Sequence, residues 1–216
     1  MGFLNKLFGD EKQRSAYFQV LASQLSLKYD FEHDLGLVKQ LSDFKLFKFG
    51  SSQKITNVIQ ERSIDSENYL FDYQYIVSTG KSSVRFDQTV FFVNSKQLSL
   101  PQFVQKPETF FTNLMAILGF KDIDFANFPE YSEKYHLEGE YEAVIRFYFS
   151  DELLKLLTTQ NAFNMEAMNY YFILYHQSKL IDKNELNAFR NLGLMLYNLF
   201  IIQSKKSDEL LKGSYL

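Results

Sequence analysis

The chain contains no cysteine and no tryptophan. The first absence removes disulfides, thiolate nucleophiles and cysteine-ligated zinc or iron–sulfur centres together, and a reducing, cytoplasmic setting fits it. There are three prolines and nine glycines in 216 residues, and no Pro-rich or Gly/Ser-rich stretch marks a flexible linker. Excess charge is also scarce. A net charge of −3 and a pI near 5.7 neither gather nucleic acid nor grip an anionic membrane. No apolar run approaches the length of a spanning helix. The opening "MGFLNKLFGDEKQRS" carries Phe3, Leu4, Leu7 and Phe8, but Gly9, Asp10 and Glu11 interrupt it before a signal peptide could form. Lys6 stands where the myristoylation pattern wants Ser or Thr. Residues 1–10 are therefore expected to be a hydrophobic arm tucked onto its own domain, with weak membrane-surface attachment as the alternative.

What the chain has in quantity is apolar and aromatic: 46% hydrophobic residues, including 23 Phe and 14 Tyr. That is enough to bury a core without staples. Glu11 to Lys28 reads as an amphipathic helix with Ala16, Tyr17, Val20, Leu21 and Leu25 as its inward stripe. From Asp43 the period changes. Phe44, Leu46 and Phe49, then "KITNVIQ" and "ENYLFDYQYIV", read as strands. "STGKSS" turns the chain into "VRFDQTVFFV", and the simplest hairpin register puts Phe71, Tyr73, Tyr75 and Val77 on one face with Val84, Phe86, Gln88 and Val90. Asp72, Gln74, Arg85, Asp87 and Thr89 line the other.

Beyond "LSLPQFVQKP" the pattern predicts a short helix with Pro107 in its first turn and Phe110, Phe111, Leu114, Ile117 and Leu118 on a stripe, stopped at Gly119. Two abutting helices follow, "EYEAVIRFYF" and "SDELLKLL", the second capped by Ser150. Phe163 to His176 reads as a strand pair turning near Asn169. Asp182 and Glu185 open a last helix with Leu186, Phe189, Leu192, Leu196 and Leu199 inward. Short connections between strands favour an α+β fold with an antiparallel, meandering sheet and flanking helices over a parallel doubly wound one. Residues 11–203 are expected to form one domain, or two closely packed lobes meeting near 119–131, with 204–216 a polar tail.

The most chemical stretch is "GFKDIDFANFPEYSEKYHLEGEYEA", residues 119–143. From Glu130 to Glu152, seven acidic residues face two basic ones, a local charge of −5. Asp122 and Asp124, two apart, would share a strand face. A calcium loop starting there would need a ligand at 126 and glycine at 127, where Ala126 and Asn127 stand. Glu138, Glu140 and Glu142 are more simply read as negative charge at a helix N-terminus. "YDFEHDLG" imitates a calcium loop again, but its glycine comes late, at Gly36, and the twelfth position is Leu41. It is read as the loop after the first helix. His33, His136 and His176 form no two-histidine helical motif, and "STGKSS" lacks the first glycine of a phosphate loop, having Tyr75 there. No serine sits in a G-x-S-x-G elbow. No cofactor, metal or catalytic residue is assigned.

Tyr69, Phe71, Tyr73 and Tyr75 with Phe86, Phe91 and Phe92 are best explained as core. A base-stacking platform would need a basic groove, and Arg85 and Lys81 are offset by Asp72 and Asp87. If part of that face is exposed, it offers a surface to a protein partner or an apolar ligand.

The succession "FKLFKFG", "ITNVI", "YLFDYQYIVSTGKSS", "QTVFFV", "LPQFVQKPE", "DIDF", "YHLEGE", "FYFSDELLKLL" and "YYFILYHQ" resembles a group of bacterial conserved hypothetical proteins of unassigned function, over roughly residues 40 to 200. The resemblance implies a bacterial, soluble, single-chain protein and carries over no site residue. The sequence thus suggests a non-enzymatic cytoplasmic binding module with an unidentified protein partner and no nucleic acid. The alternative is an enzyme or a small-ligand or metal-binding protein with a pocket between two lobes. Asp72, Tyr73, Tyr75, Asp122, Asp124 and His136 are the candidate binding residues.

Overall fold

A computed structural model describes residues 2–32, 35–78, 80–108 and 121–213, with side chains for 10–32, 36–78, 80–108 and 121–210. The elements run α1 (Gly2–Gln24), β1 (Lys28–Glu32), α2 (Leu35–Leu41), a 3₁₀ turn (Lys45–Lys48), β2 (Ser51–Arg62), β3 (Ser66–Ser78), β4 (Ser83–Ser95) and β5 (Leu100–Pro107). They continue α3 (Pro129–Ser132), β6 (Tyr135–Gly139), α4 (Glu142–Tyr148), α5 (Asp151–Thr159), β7 (Asn164–Asn169), β8 (Tyr171–Tyr175) and α6 (Leu186–Gly213). The strands form one eight-stranded sheet in the order β1-β2-β3-β4-β8-β7-β5-β6, and every pairing in it is antiparallel. The fold is α+β. Among the described residues no helix is long and apolar enough to cross a membrane.

The central hairpin takes the register its alternation predicts: Phe71 pairs with Val90, Tyr73 with Gln88, Tyr75 with Phe86, and Val77 with Val84. On one face lies the larger core, where Phe18 and Ala22 of α1 and Leu186, Leu196 and Phe200 of α6 pack over Leu70, Phe91, Phe103, Leu137, Met165 and Phe172. Gly193 lets α6 lie close to the sheet, because a Cβ there would come within 2.2 Å of the Phe91 ring. On the opposite face α2 and the 3₁₀ turn bring Leu37, Leu41, Phe44, Leu46 and Phe47 onto Ile55, Phe71, Tyr73, Phe92 and Ile173.

Several expectations are corrected. The fully buried positions of α1 are Phe18 and Ala22, each at most 1% exposed; Leu21 of the expected stripe packs against the same core, while Val20 is 54% exposed. Helical spacing puts Arg14 on the face of Phe18, four residues before it, and its guanidinium reaches Asp72 in β3 at 2.6 and 2.8 Å. A polar anchor thus helps set the helix phase, and a count of apolar residues cannot see it. "YDFEHDLG" is no loop as far as Glu32, since Lys28–Glu32 forms an edge strand on β2; His33 and Asp34 lie outside the described residues. Phe44 to Phe49 is a 3₁₀ turn and its flanks, not a strand. Pro107 ends β5 opposite Tyr135. The helix expected over Phe110–Leu118 falls outside the described residues, as do the side chains of Phe3, Leu4, Leu7 and Phe8. α1 itself begins at Gly2 and α6 runs on to Gly213, through residues read as an arm and a polar tail.

Candidate functional site at the charged end of the sheet

Strands buried on both faces ordinarily carry apolar residues on each. β5, β6 and β7 do so on the helix side but mix apolar with charged and polar residues on the other. On the other side they present Gln102, Val104 and Lys106 from β5, His136 and Glu138 from β6, and Asn164, Glu166 and Met168 from β7. The register sets Val104 across from both Glu138 and Glu166, and Lys106 across from His136. Glu138 is 1% exposed, Glu166 2%, Lys106 6% and His136 7%. Charges at that depth cost several kcal/mol unless paired, so their partners determine the chemistry.

Glu166 is held by the start of the 3₁₀ turn. Its Oε2 accepts the Lys45 backbone N–H at 2.6 Å, and its Oε1 accepts Leu46 N–H at 3.1 Å and the Tyr175 hydroxyl at 2.9 Å. Burial pushes its carboxyl above the ordinary range; those three donors pull it back only in part. Burial raises the Tyr175 phenol well above its usual value, with the Glu166 charge acting in the same direction. Lys45 reaches back to Glu138, Nζ to Oε1 at 3.5 Å. Desolvation lowers its ammonium while Glu138 opposes the shift. Beside this network is a cleft of about 240 Å³ lined by Asp43, Lys45, Lys48 and Phe49 on one wall and Gln102, Val104, Glu166 and Met168 on the other.

Further along, at the sheet edge, His136 Nδ1 lies 3.0 Å from Asp122 Oδ2 and 3.9 Å from Glu108 Oε1. Asp122 Oδ1 accepts the Leu137 N–H at 2.9 Å, and Ile123 N–H donates to the Leu137 carbonyl at 2.8 Å. The chain before α3 is thereby laced to β6.

The six candidate residues are dispersed. Asp122 and His136 are brought together. Asp124 is exposed, and it is its carbonyl that accepts from Arg146, at 2.7 Å. Asp72 lies on the helix face of β3, where its carboxylate takes Arg14, Asn57 and Thr89. Five strand spacings, about 24 Å, separate it from β6. Tyr73 and Tyr75 are each 1% exposed and stack at 5.6 Å, so they supply packing and no surface. Glu138, expected near a helix N-terminus, lies in β6, where Lys45 neutralises it. Lys45, Lys106, Glu108 and Glu166 escaped the sequence reading. The signal available was "FVQKPE" and "NMEAMN", charges interrupting segments otherwise apolar enough for buried strands.

No family model matches the chain, and no curated protein does. Among solved structures it is similar to the crystal structure of the mycobacterial trehalose monomycolate transport factor A, TtfA. The TM-score is 0.58 at 10% sequence identity, over 88% of this chain and 93% of that one. At that identity the likeness is one of fold alone.

Proposed function

We propose that this is a bacterial, cytoplasmic, non-enzymatic binding module that docks a protein partner at the cleft between the 3₁₀ turn and β5–β7. The size and lining of that cleft carry the reading. At about 240 Å³ it falls below the roughly 300–1,000 Å³ of ordinary small-molecule sites. It suits a single anchoring side chain, the usual hot spot of a protein interface. Phe49, Val104 and Met168 would receive the apolar body of that side chain, and Asp43, Lys45 and Lys48 its polar tip or flanking backbone. The closed hydrogen bonding of Glu166 fits a rigid wall better than an acid or base awaiting substrate. The fold neighbour is named as a transport factor, which is compatible with a binding role.

Affinity capture from the native host with wild type and Met168→Arg tests this. Met168 is only partly buried, so the variant should melt near the wild-type temperature while losing one co-purifying protein that wild type retains. If both capture the same proteins, the cleft is not the docking surface. If native mass spectrometry instead shows a small added mass on wild type that the variant lacks, the ligand-binding alternative replaces it.

A further inference from the structure

The geometry points to a divalent-cation site formed by Glu108, Asp122 and His136, for a first-row transition ion such as zinc. Glu108 follows β5, Asp122 lies in the chain before α3, and His136 is in β6, yet one ligand atom from each falls within 4.8 Å of the others. The set is mixed. One imidazole nitrogen and two carboxylate oxygens suit zinc, manganese or iron(II), whereas calcium takes six to eight oxygens.

Distances separate this reading from a plain His–Asp hydrogen bond. That bond accounts for the 3.0 Å contact with Asp122 but not for Glu108 Oε1, which at 3.9 Å is too far from Nδ1 to accept from it. Two ligand atoms each about 2.0–2.1 Å from a tetrahedral zinc stand roughly 3.3 Å apart, between the two observed separations. The two carboxylate oxygens lie within 4.8 Å of each other, so these part-exposed side chains would close in on His136 to admit the ion. Backbone hydrogen bonds hold the donors in place. Glu108 N–H donates to the Lys134 carbonyl at 3.0 Å, carrying the β5–β6 ladder one residue past the Pro107–Tyr135 pair. Asp122 is oriented through its second oxygen by Leu137 N–H, as outer hydrogen bonds orient metal-ligating carboxylates. The His136 side chain is 9% exposed, against 27% for Asp122 and 30% for Glu108, so an ion would enter from the carboxylate side. Lys106, cross-strand from His136, supplies the opposing positive charge, and two carboxylates outnumber it. None of the three ligands lines the Lys45–Met168 cleft, so this site and the docking surface stand or fall separately.

The test uses the tag-free full chain stripped with chelator, titrated with Zn²⁺ against a chromophoric competitor and then with Co²⁺ for its visible spectrum. Wild type should take up one equivalent, melt at a higher temperature with Zn²⁺, and show Co²⁺ bands. Glu108→Gln and Asp122→Asn should each weaken uptake by about tenfold or more, and Ca²⁺ should not compete. Melting of each variant in chelator controls for folding. Because the Glu108 carboxylate makes, among the described residues, only the long approach to His136, Glu108→Gln decides the matter if Asp122→Asn unfolds. Absence of saturable uptake by wild type, or uptake unchanged in Glu108→Gln, overturns the proposal.

Discussion

The face of the sheet beneath α2 and the 3₁₀ turn changes character half-way across. Over β2, β3, β4 and β8 it is a ring mosaic, with Tyr73–Tyr75 at 5.6 Å, Tyr75–Phe86 at 5.2 Å and Phe47–Tyr73 at 4.3 Å. Over β7, β5 and β6 it is Glu166, Lys106, Glu138 and His136 at comparable burial. The same fold therefore uses two currencies on one surface. Rings gain from area and need only approximate neighbours. Charges gain only when each hydrogen bond is met, so they fix a specific geometry. The difference teaches where to look for function: the aromatic half is explained by stability, while the charged half is a costly way to obtain stability alone.

The comparison breaks first, and hardest, at Phe92. Its ring is fully buried and meets Phe44 at 6.2 Å, Tyr69 at 5.7 Å and Tyr171 at 6.1 Å. Phe92→Ala should cost about 3–5 kcal/mol in urea unfolding and should do so equally at every pH where the chain is folded. A loss under about 1 kcal/mol would mean that the aromatic half is not the structural partner in this contrast.

Glu166→Ala should cost somewhat less, about 2–4 kcal/mol, because it strands the Lys45 and Leu46 N–H groups and the Tyr175 hydroxyl. Unlike the ring deletion, its effect should depend on pH. Burial raises the folded-state carboxyl above its unfolded value. The stabilising share of Glu166 is thus fully present below the unfolded value and is lost as pH rises through the folded one. The stability difference between wild type and the variant should therefore shrink from the acid side toward neutrality in parallel urea titrations. A difference that grows toward neutrality would show that the hydrogen bonds outweigh desolvation.

On the helix face the Arg14–Asp72 pair gives an intermediate case, one polar anchor in an apolar core. Arg14→Met and Asp72→Asn should each cost about 1–3 kcal/mol. Because the two side chains form a bidentate pair, the double variant should be more stable than the sum of the singles implies. Strict additivity in the cycle would mean that Asn57 and Thr89 alone hold Asp72.

How much of this was legible follows from the same contrast. The hairpin register, the Ser150 cap (accepting Leu153 N–H at 3.4 Å) and the turn at Asn169, with φ of +51°, could be read because alternation, capping and left-handed turn chemistry are local. The phase of α1 could not, because Arg14 counts as polar until Asp72, 58 residues away, is placed beside it. The charged half was half-legible. The acidic stretch drew attention to Asp122 and His136, but Glu166 lies 28 residues beyond Glu138, and nothing in one sequence shows that both face the same strand.

The smallest expected effect is at Asp124, which spacing alone makes the twin of Asp122. Two residues apart on a regular strand they would be equivalent, yet here Asp122 is turned to His136 and Leu137 while Asp124 is exposed and works through its carbonyl. Asp124→Asn keeps that carbonyl and so should change unfolding free energy by less than about 0.5 kcal/mol, as is usual for surface substitutions. Metal uptake in the same preparation should also match wild type. If Asp124→Asn instead weakens Zn²⁺ binding as Asp122→Asn does, the charged half extends past the sheet edge and the line drawn between its two carboxylates is in the wrong place.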